Sequence, residues 1–255
     1  MIYKQQDNRI IINPQLIKLI IFDKDGTIVK LDMWAKVIKN RAELIGDFFH
    51  FDTWQTNNIS IIMGIDPITT KIADINRLTI SRIKTEENVT KYLVEQGIES
   101  NLAQDAIHKI FAEVDNNMDF TKIVSPIGNI RELFSRIKDN GTEIAIATSD
   151  IETRGRKIMQ ALDVDDYVSA VAGVDSVIND KPAPDMILHI CDRLNVSPKL
   201  TAIVGDSVYD LLMGHSAGVG LKIAVLTGKD GKQDLQSYAD VVINSIQEID
   251  IGNDA

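Results

Sequence analysis

Cysteine occurs once in the 255 residues, as Cys191, so no disulfide can form within the chain and a disulfide-stapled scaffold is excluded. Its setting, "MILHICDRL", is an apolar helical pattern that predicts a buried structural thiol and not a nucleophile. No run of about 18 or more apolar residues is present, which leaves no candidate for a membrane-spanning helix. The opening stretch "MIYKQQDNRIIINPQLIK" has neither a long apolar segment nor a small-residue cleavage site. A secretory signal is therefore not expected, and a reducing cytoplasm is. Positive charge is also scarce. The formal net charge is −10 with no strongly basic patch, which argues against nucleic acid as a partner. A chain this acidic can bind phosphate only with a local cation or a metal ion. Phosphate-loop signatures are missing too. There is no Walker A sequence, and "GVGLKI" supplies Gly218 and Gly220 but has Ile223 where a dinucleotide fingerprint needs its third glycine. Internal repeats and low-complexity tracts are absent.

What is present divides by pattern into three parts. Residues 1–31 end in the apolar strand "KLIIFD", short and stopped by Asp-x-Asp-Gly. Residues 32–120 read as helical. Asp66-Pro67 looks like an N-cap with proline in the first turn, followed by apolar residues at Ile68, Ile72, Ile75, Leu78 and Ile83. "TEENVTKYLVEQG" begins with acids and stops at Gly97, and "SNLAQDAIHKIFAEV" is a further amphipathic helix. No alternating strand interrupts this part.

Residues 121–255 alternate between short apolar strands ("TEIAIATSD", "YVSAVAG", "LTAIVGD", "KIAVLTG", "ADVVIN") and helices. One helix is expected across "SPIGNIRELFSRIKDNG", capped by Ser125 with Pro126 at its start and Gly141 at its end. Others are expected in "TRGRKIMQAL", "PDMILHICDRLN" and "YDLLMGHSAG". The alternation predicts an α/β fold, a Rossmann-like doubly wound parallel sheet, with the helical segment inserted as a separate cap domain after the first strand. An insertion at the edge where the strands end would serve as a lid.

Four signals fall at strand ends or loops. In Asp23-Lys24-Asp25-Gly26-Thr27 the two acids are two residues apart, a spacing that puts side chains on one side of an extended segment. Such carboxylates share a proton or a metal, although Asp-Gly also marks an ordinary solvated turn. A calcium loop is excluded, because Gly26 at its sixth position would put Ile21 at the first ligand. "IAIATSD" ends in Thr148 and Ser149, suited to an oxyanion or simply to capping the next helix. Lys181 lies in "NDKPAPD", between prolines and acids, where it can meet a phosphate or remain surface charge. "IVGDSVYD" places Asp206 after a strand and Asp210 four residues on, so that a helix beginning there would put both on one face. They suit a hard divalent ion or a helix N-terminus.

Taken in order, these four segments resemble the motifs of the haloacid dehalogenase superfamily, in its phosphoglycolate-phosphatase-like branch with a helical cap. The resemblance covers nearly the whole chain, and the cap matches only by class. It implies that Asp23 is the nucleophile forming an aspartyl-phosphate, and that Asp25 is the general acid and then the base. It further implies Mg²⁺ held by Asp23, the Asp25 main-chain carbonyl and Asp206, with Asp210 orienting that shell. Thr148 and the Ser149 N–H would hold phosphoryl oxygens and Lys181 would neutralise developing charge. Gly26 would allow the turn that brings Asp25 over the site. Related P-type ATPases carry Thr at the second acidic position and the dehalogenases lack that acid, so Asp25 favours phosphoryl transfer with turnover.

The expected function is a Mg²⁺-dependent phosphomonoesterase for a small phosphorylated metabolite, phosphoglycolate-phosphatase-like in type. A phosphomutase of the same superfamily uses the same acids. Outside enzymes, a receiver-type phospho-aspartate switch uses acids, Thr and Lys, but is about half this length and has its acidic pair in a different order; a catalytically dead binding protein would have lost a motif residue. Many relatives have an Asp-Ser or Asp-Thr pair after the first motif, where this chain has "IVKLDMW" with Asp32 alone. The resemblance therefore does not carry phosphoglycolate over as the substrate. Trp34 and Trp54 are candidate pocket residues in the cap.

Overall fold

The computed structural model describes residues 1–7 and 9–252; the last three positions of the 121–255 segment lie outside them. In chain order the elements begin with strands β1 (Tyr3–Gln6), β2 (Arg9–Ile12) and β3 (Leu19–Phe22). Helices α1 (Met33–Phe49) and α2 (Thr53–Ile62) follow, then β4 (Ile65–Asp66), β5 (Lys71–Ile72), α3 (Ile75–Leu78), α4 (Arg82–Glu95) and α5 (Ser100–Asn117). The remainder is α6 (Ile130–Asp139), β6 (Glu143–Ala147), α7 (Glu152–Ala161), β7 (Ala170–Ala172), α8 (Asp185–Leu194), β8 (Thr201–Gly205), α9 (Val208–Ala217), β9 (Leu221–Val225), α10 (Lys232–Leu235), β10 (Val241–Ile243) and β11 (Ile249–Ile251). The chain forms two compact units, one of Met1–Lys30 with the chain from Val124 onward, the other of Leu31–Ile123.

The first unit is built on a six-stranded sheet in the order β10-β9-β8-β3-β6-β7, every pair parallel. β3 lies inside it, and its four residues are all buried because both faces are covered. That is why its sequence, "LIIF", is continuously apolar instead of alternating. Each such side chain contributes about 1.5–3 kcal/mol of burial energy. Phe22 packs on Phe134 of α6 with ring centroids 5.3 Å apart. Cys191 is buried with Met186, Ile187 and Ile190 of α8, and burial raises its thiol pKa, as expected of a structural cysteine. In register, Phe22 lies beside both Ile146 of β6 and Val204 of β8. The three strands therefore end within one residue of one another, and the residues after them, Asp23, Thr148 and Asp206, emerge at one edge.

Two further features of this unit escape the sequence pattern. β1 and β2 form a hairpin, and β11 joins β2 in parallel to make a separate three-stranded sheet. The helix expected from Ser125 begins only at Ile130, where Asn129 caps it by accepting from Glu132 N–H at 3.2 Å. Pro126 instead bridges to Val29. Gly141 follows the helix in a left-handed conformation, as read.

The second unit is mostly helical, with one correction. The helix expected after Asp66-Pro67 is replaced by the antiparallel pair β4–β5 and the single turn of α3. Asp66 accepts from the N–H groups of Ile68 and Thr69 at 2.8 and 2.9 Å, closing a turn. Thr70 then takes a left-handed φ of 53°, which ends any helical continuation. An Asp-Pro pair opens a turn as readily as a helix. Trp34 is buried in α1, whereas Trp54 of α2 is 66% exposed. Among the described residues, no helix is long and apolar enough to cross a membrane.

Candidate active site

The loop after β3 is folded back on itself by its own backbone. Gly26 N–H donates to Val29 O at 2.7 Å, and the N–H groups of Ile28 and Val29 donate to Lys24 O at 2.9 and 3.0 Å. Gly26 sits at φ 86°, and a Cβ there would lie 2.5 Å from Asp206 Oδ2 and 2.9 Å from the Gly228 Cα. Only glycine meets both conditions.

Asp23 leaves β3 with its N–H on Val204 O at 2.8 Å. Its Oδ1 accepts from Lys181 Nζ at 2.5 Å, and the same ammonium donates to Asp210 Oδ1 at 2.7 Å and to Ala147 O at 2.9 Å. Lys181 reaches this point from a loop that Asp180 and Asp185 shape. Asp180 Oδ1 accepts from Lys181 N–H at 2.7 Å, and Asp185 Oδ1 accepts from Asn179 N–H and Nδ2 at 3.2 and 2.9 Å.

Asp206 is fixed by Thr27 Oγ1 at 3.2 Å and Lys229 N–H at 2.6 Å. Asp210 belongs to the capping box of α9, its Oδ2 accepting from Ser207 N–H and Oγ at 3.1 and 2.6 Å. Asp206 precedes the helix, so the two acids do not share a helix face. They meet because Asp210 folds back over Gly205, where a Cβ would come within 2.6 Å of its Cγ.

Asp23, Asp206 and Asp210, all buried, each offer an oxygen within 4.8 Å of the others. Among the described residues no other acidic, His or Cys group gathers in this way. Burial drives the Asp23 pKa up to about 7, with Asp210 and Asp25 adding to the rise and Lys181 opposing it. Asp206 is likewise raised, by burial first and then by Asp23 and Asp210. Lys181 is pushed above the usual lysine range, since Asp210 and Asp23 outweigh the effect of its own burial. Three buried carboxylates thus face one ammonium. An all-oxygen set with excess negative charge fits a hard divalent cation.

The remaining sequence candidates are placed as follows. Thr148 is fully buried directly after Ala147, and its Oγ1 accepts from Asp150 N–H at 3.2 Å. Ser149 Oγ donates to Asp180 Oδ1 at 3.5 Å. The Asp25 carboxylate does not join the three acids; its Oδ2 takes Lys24 Nζ at 2.5 Å. Sequence reasoning missed the supports. Thr27 was legible inside the motif, but Lys229 acts through its backbone N–H, which has no sequence signature.

A family model for haloacid dehalogenase-like hydrolases matches residues 17–218. Over 220 residues the chain is 26% identical to a phosphoglycolate phosphatase of Psychrobacter arcticus, covering 85% of this chain and 88% of that protein. It is 25% identical over 238 residues to the pyrophosphatase PpaX of Halalkalibacterium halodurans, covering 91% and 95%. Its fold is similar to the crystal structure of a predicted phosphoglycolate phosphatase from Haemophilus somnus 129pt, with a TM-score of 0.68 at 21% identity over 91% of this chain and 95% of that one.

Proposed function

The chain belongs to the haloacid dehalogenase-like hydrolase family, and we propose that it is a Mg²⁺-dependent phosphomonoesterase for a small phosphorylated metabolite, working through an aspartyl-phosphate on Asp23. The observation that carries this reading is the Lys181 ammonium bridging Asp23 and Asp210 within a buried three-acid cluster at the ends of β3, β6 and β8. A structural ion pair has no use for the two excess carboxylates, whereas phosphoryl transfer does.

Asp23 and Asp206, with the Asp25 main-chain carbonyl, would hold the metal, and Asp210 would orient them. When bound, Mg²⁺ supplies charge that offsets repulsion between the Asp23 carboxylate and the anionic ester. In that setting Asp23 would be ionised and so able to act as the nucleophile. Lys181 contributes a fixed positive charge, and the Thr148 hydroxyl and Ser149 N–H hold phosphoryl oxygens. An Asp23 oxygen bonds to phosphorus as the bond to the leaving oxygen breaks, and Asp25 gives that oxygen its proton. Asp25 then takes a proton from water as the water oxygen attacks phosphorus and the bond to Asp23 breaks. Ester and water become alcohol and phosphate, and both acids are restored.

Substrate selection we assign to the inserted segment 32–120, read as the cap. The buried lone thiol fits a cytoplasmic enzyme. The test is phosphate release with and without Mg²⁺ from a panel including 2-phosphoglycolate, pyrophosphate, glycerol 3-phosphate and hexose phosphates, with Asp23→Asn as the control. Metal-dependent release by wild type alone supports the reading. Interconversion of hexose phosphates without net release makes the protein a mutase, and equal release by the variant refutes Asp23 as nucleophile.

A further inference from the structure

Lys24, the residue between the two acids of the first motif, is fully buried. A buried ammonium is costly unless paired. Its Nζ lies 2.5 Å from Asp25 Oδ2 and 3.5 Å from Asp150 Oδ2. Asp150, 4% exposed, is itself anchored by Arg154 of α7, which is 2% exposed. Arg154 Nε donates to Asp150 Oδ2 at 2.5 Å and Nη2 donates to Oδ1. Burial alone would raise the Asp150 pKa, but Arg154 and Lys24 outweigh it and hold the carboxyl well below the usual range. Asp150 N–H in turn donates to Thr148 Oγ1 at 3.2 Å. A continuous polar chain therefore runs from Asp25 through Lys24 and Asp150 to Arg154, touching Thr148 on the way.

Stability does not explain this arrangement. A well-packed apolar side chain of similar volume serves a core as well as or better than a buried ion pair. The backbone of the loop is held independently, by Lys24 O accepting from Ile28 and Val29. We propose that Lys24 is a positioning residue: it fixes the Asp25 carboxylate by its Oδ2 and ties it to the loop that carries Thr148, so that the carboxyl group that passes the proton to the leaving group is held in place. The inference rests on Asp25 as the proton donor.

Breakdown of the aspartyl-phosphate, in which Asp25 takes a proton from water, is common to all esters, so the first step is read alone, as leaving-group release in a single turnover with enzyme in excess; there a leaving group that needs no proton separates positioning from general damage. The probes are glycerol 3-phosphate, whose alkoxide must be protonated, and p-nitrophenyl phosphate, whose phenolate leaves without a proton. Lys24→Met is expected to lower the single-turnover rate of glycerol release by about 10- to 100-fold, part of the range for a general acid. Single-turnover release of p-nitrophenolate is expected to stay within about threefold, the size of a minor disturbance. Lys24→Gln, which keeps polarity if methionine folds poorly, should show the same split, and Lys24→Arg should recover part of the alkyl activity. Asp25→Asn should show the split more strongly. Equal loss on both esters, or no loss on either, in the Lys24 variants overturns the positioning role. A split in Asp25→Asn but not in the Lys24 variants overturns this inference alone. No split in Asp25→Asn overturns the proton-donor reading together with it.

Discussion

The two units each bury a cluster of charges, and the clusters differ in balance. In the second unit Arg41 and Arg82 both donate to Asp115, with Arg41 Nη2 at 2.9 Å from Oδ1, and Arg82 also pairs with Glu86. Both guanidinium groups lie over Phe111, at 4.1 and 5.0 Å from its centroid. Two cations meet two anions, and the aromatic ring supplies further support. In the first unit Asp23, Asp206 and Asp210 lie together, and among the described residues one cation, Lys181, pairs with the group, through Asp23 and Asp210; burial pushes two of the acids toward their neutral forms. A balanced cluster has reached its resting state. An unbalanced one is poised for a ligand that brings positive charge, which is the usual mark of a working site.

Substitutions that break this contrast should separate activity from stability. Asp23→Asn is expected to reduce phosphate release by at least about 10⁴-fold, the scale on which loss of a nucleophile acts. It should leave the metal-free melting temperature unchanged or higher, because it removes one unbalanced charge. Asp115→Ala should do the reverse to stability, since it leaves two arginines short of their shared partner. Denaturant unfolding should show a loss of about 3–5 kcal/mol, as for other broken buried pairs. Gly26→Ala is expected to cost about 1–3 kcal/mol through its left-handed backbone and to weaken activity by pushing on Asp206, checked by melting and by steady-state rates.

The smallest effect is a pH dependence. The Asp23 pKa is raised from its ordinary 3.8 to about 7, so the folded protein binds more protons than the unfolded chain between those values. Stability of the metal-free protein therefore falls as pH rises through that window. Mg²⁺, which needs the ionised carboxylates, should raise the melting temperature by a few degrees more at pH 8 than at pH 5.5, a shift of about 1 kcal/mol in a protein of this size. Scanning fluorimetry with and without metal checks it, and an equal gain at both pH values counts against the cluster as the metal site.

How far the sequence foretold this contrast depends on what kind of residue carried it. Asp23 and Asp206 were legible because each follows an apolar strand and Lys181 because it sits in a proline-stiffened loop, where polar residues stand out, and Asp210 was legible by its place four residues beyond Asp206. The six-stranded parallel sheet was legible for the same reason, as "LIIF", "EIAIA" and "TAIVG" are too apolar for any but a buried strand. Lys24 was not, since a lysine between two aspartates reads as solvated charge until the fold shows Asp150 and Arg154 behind it. The small sheet was hidden because β11 pairs with a strand near the other end of the chain. The Asp66-Pro67 turn misled because its local chemistry suits both outcomes.

The claim that the unbalanced cluster makes Asp23 a nucleophile can be tested without knowing the physiological substrate. Wild-type protein turning over p-nitrophenyl phosphate with Mg²⁺ is quenched in acid, digested and analysed by mass spectrometry. A phosphoryl group on the peptide that contains Asp23, present in wild type and absent in Asp23→Asn, is the predicted result. Turnover in wild type with the peptide unmodified throughout, or the same modification in the variant, would contradict it.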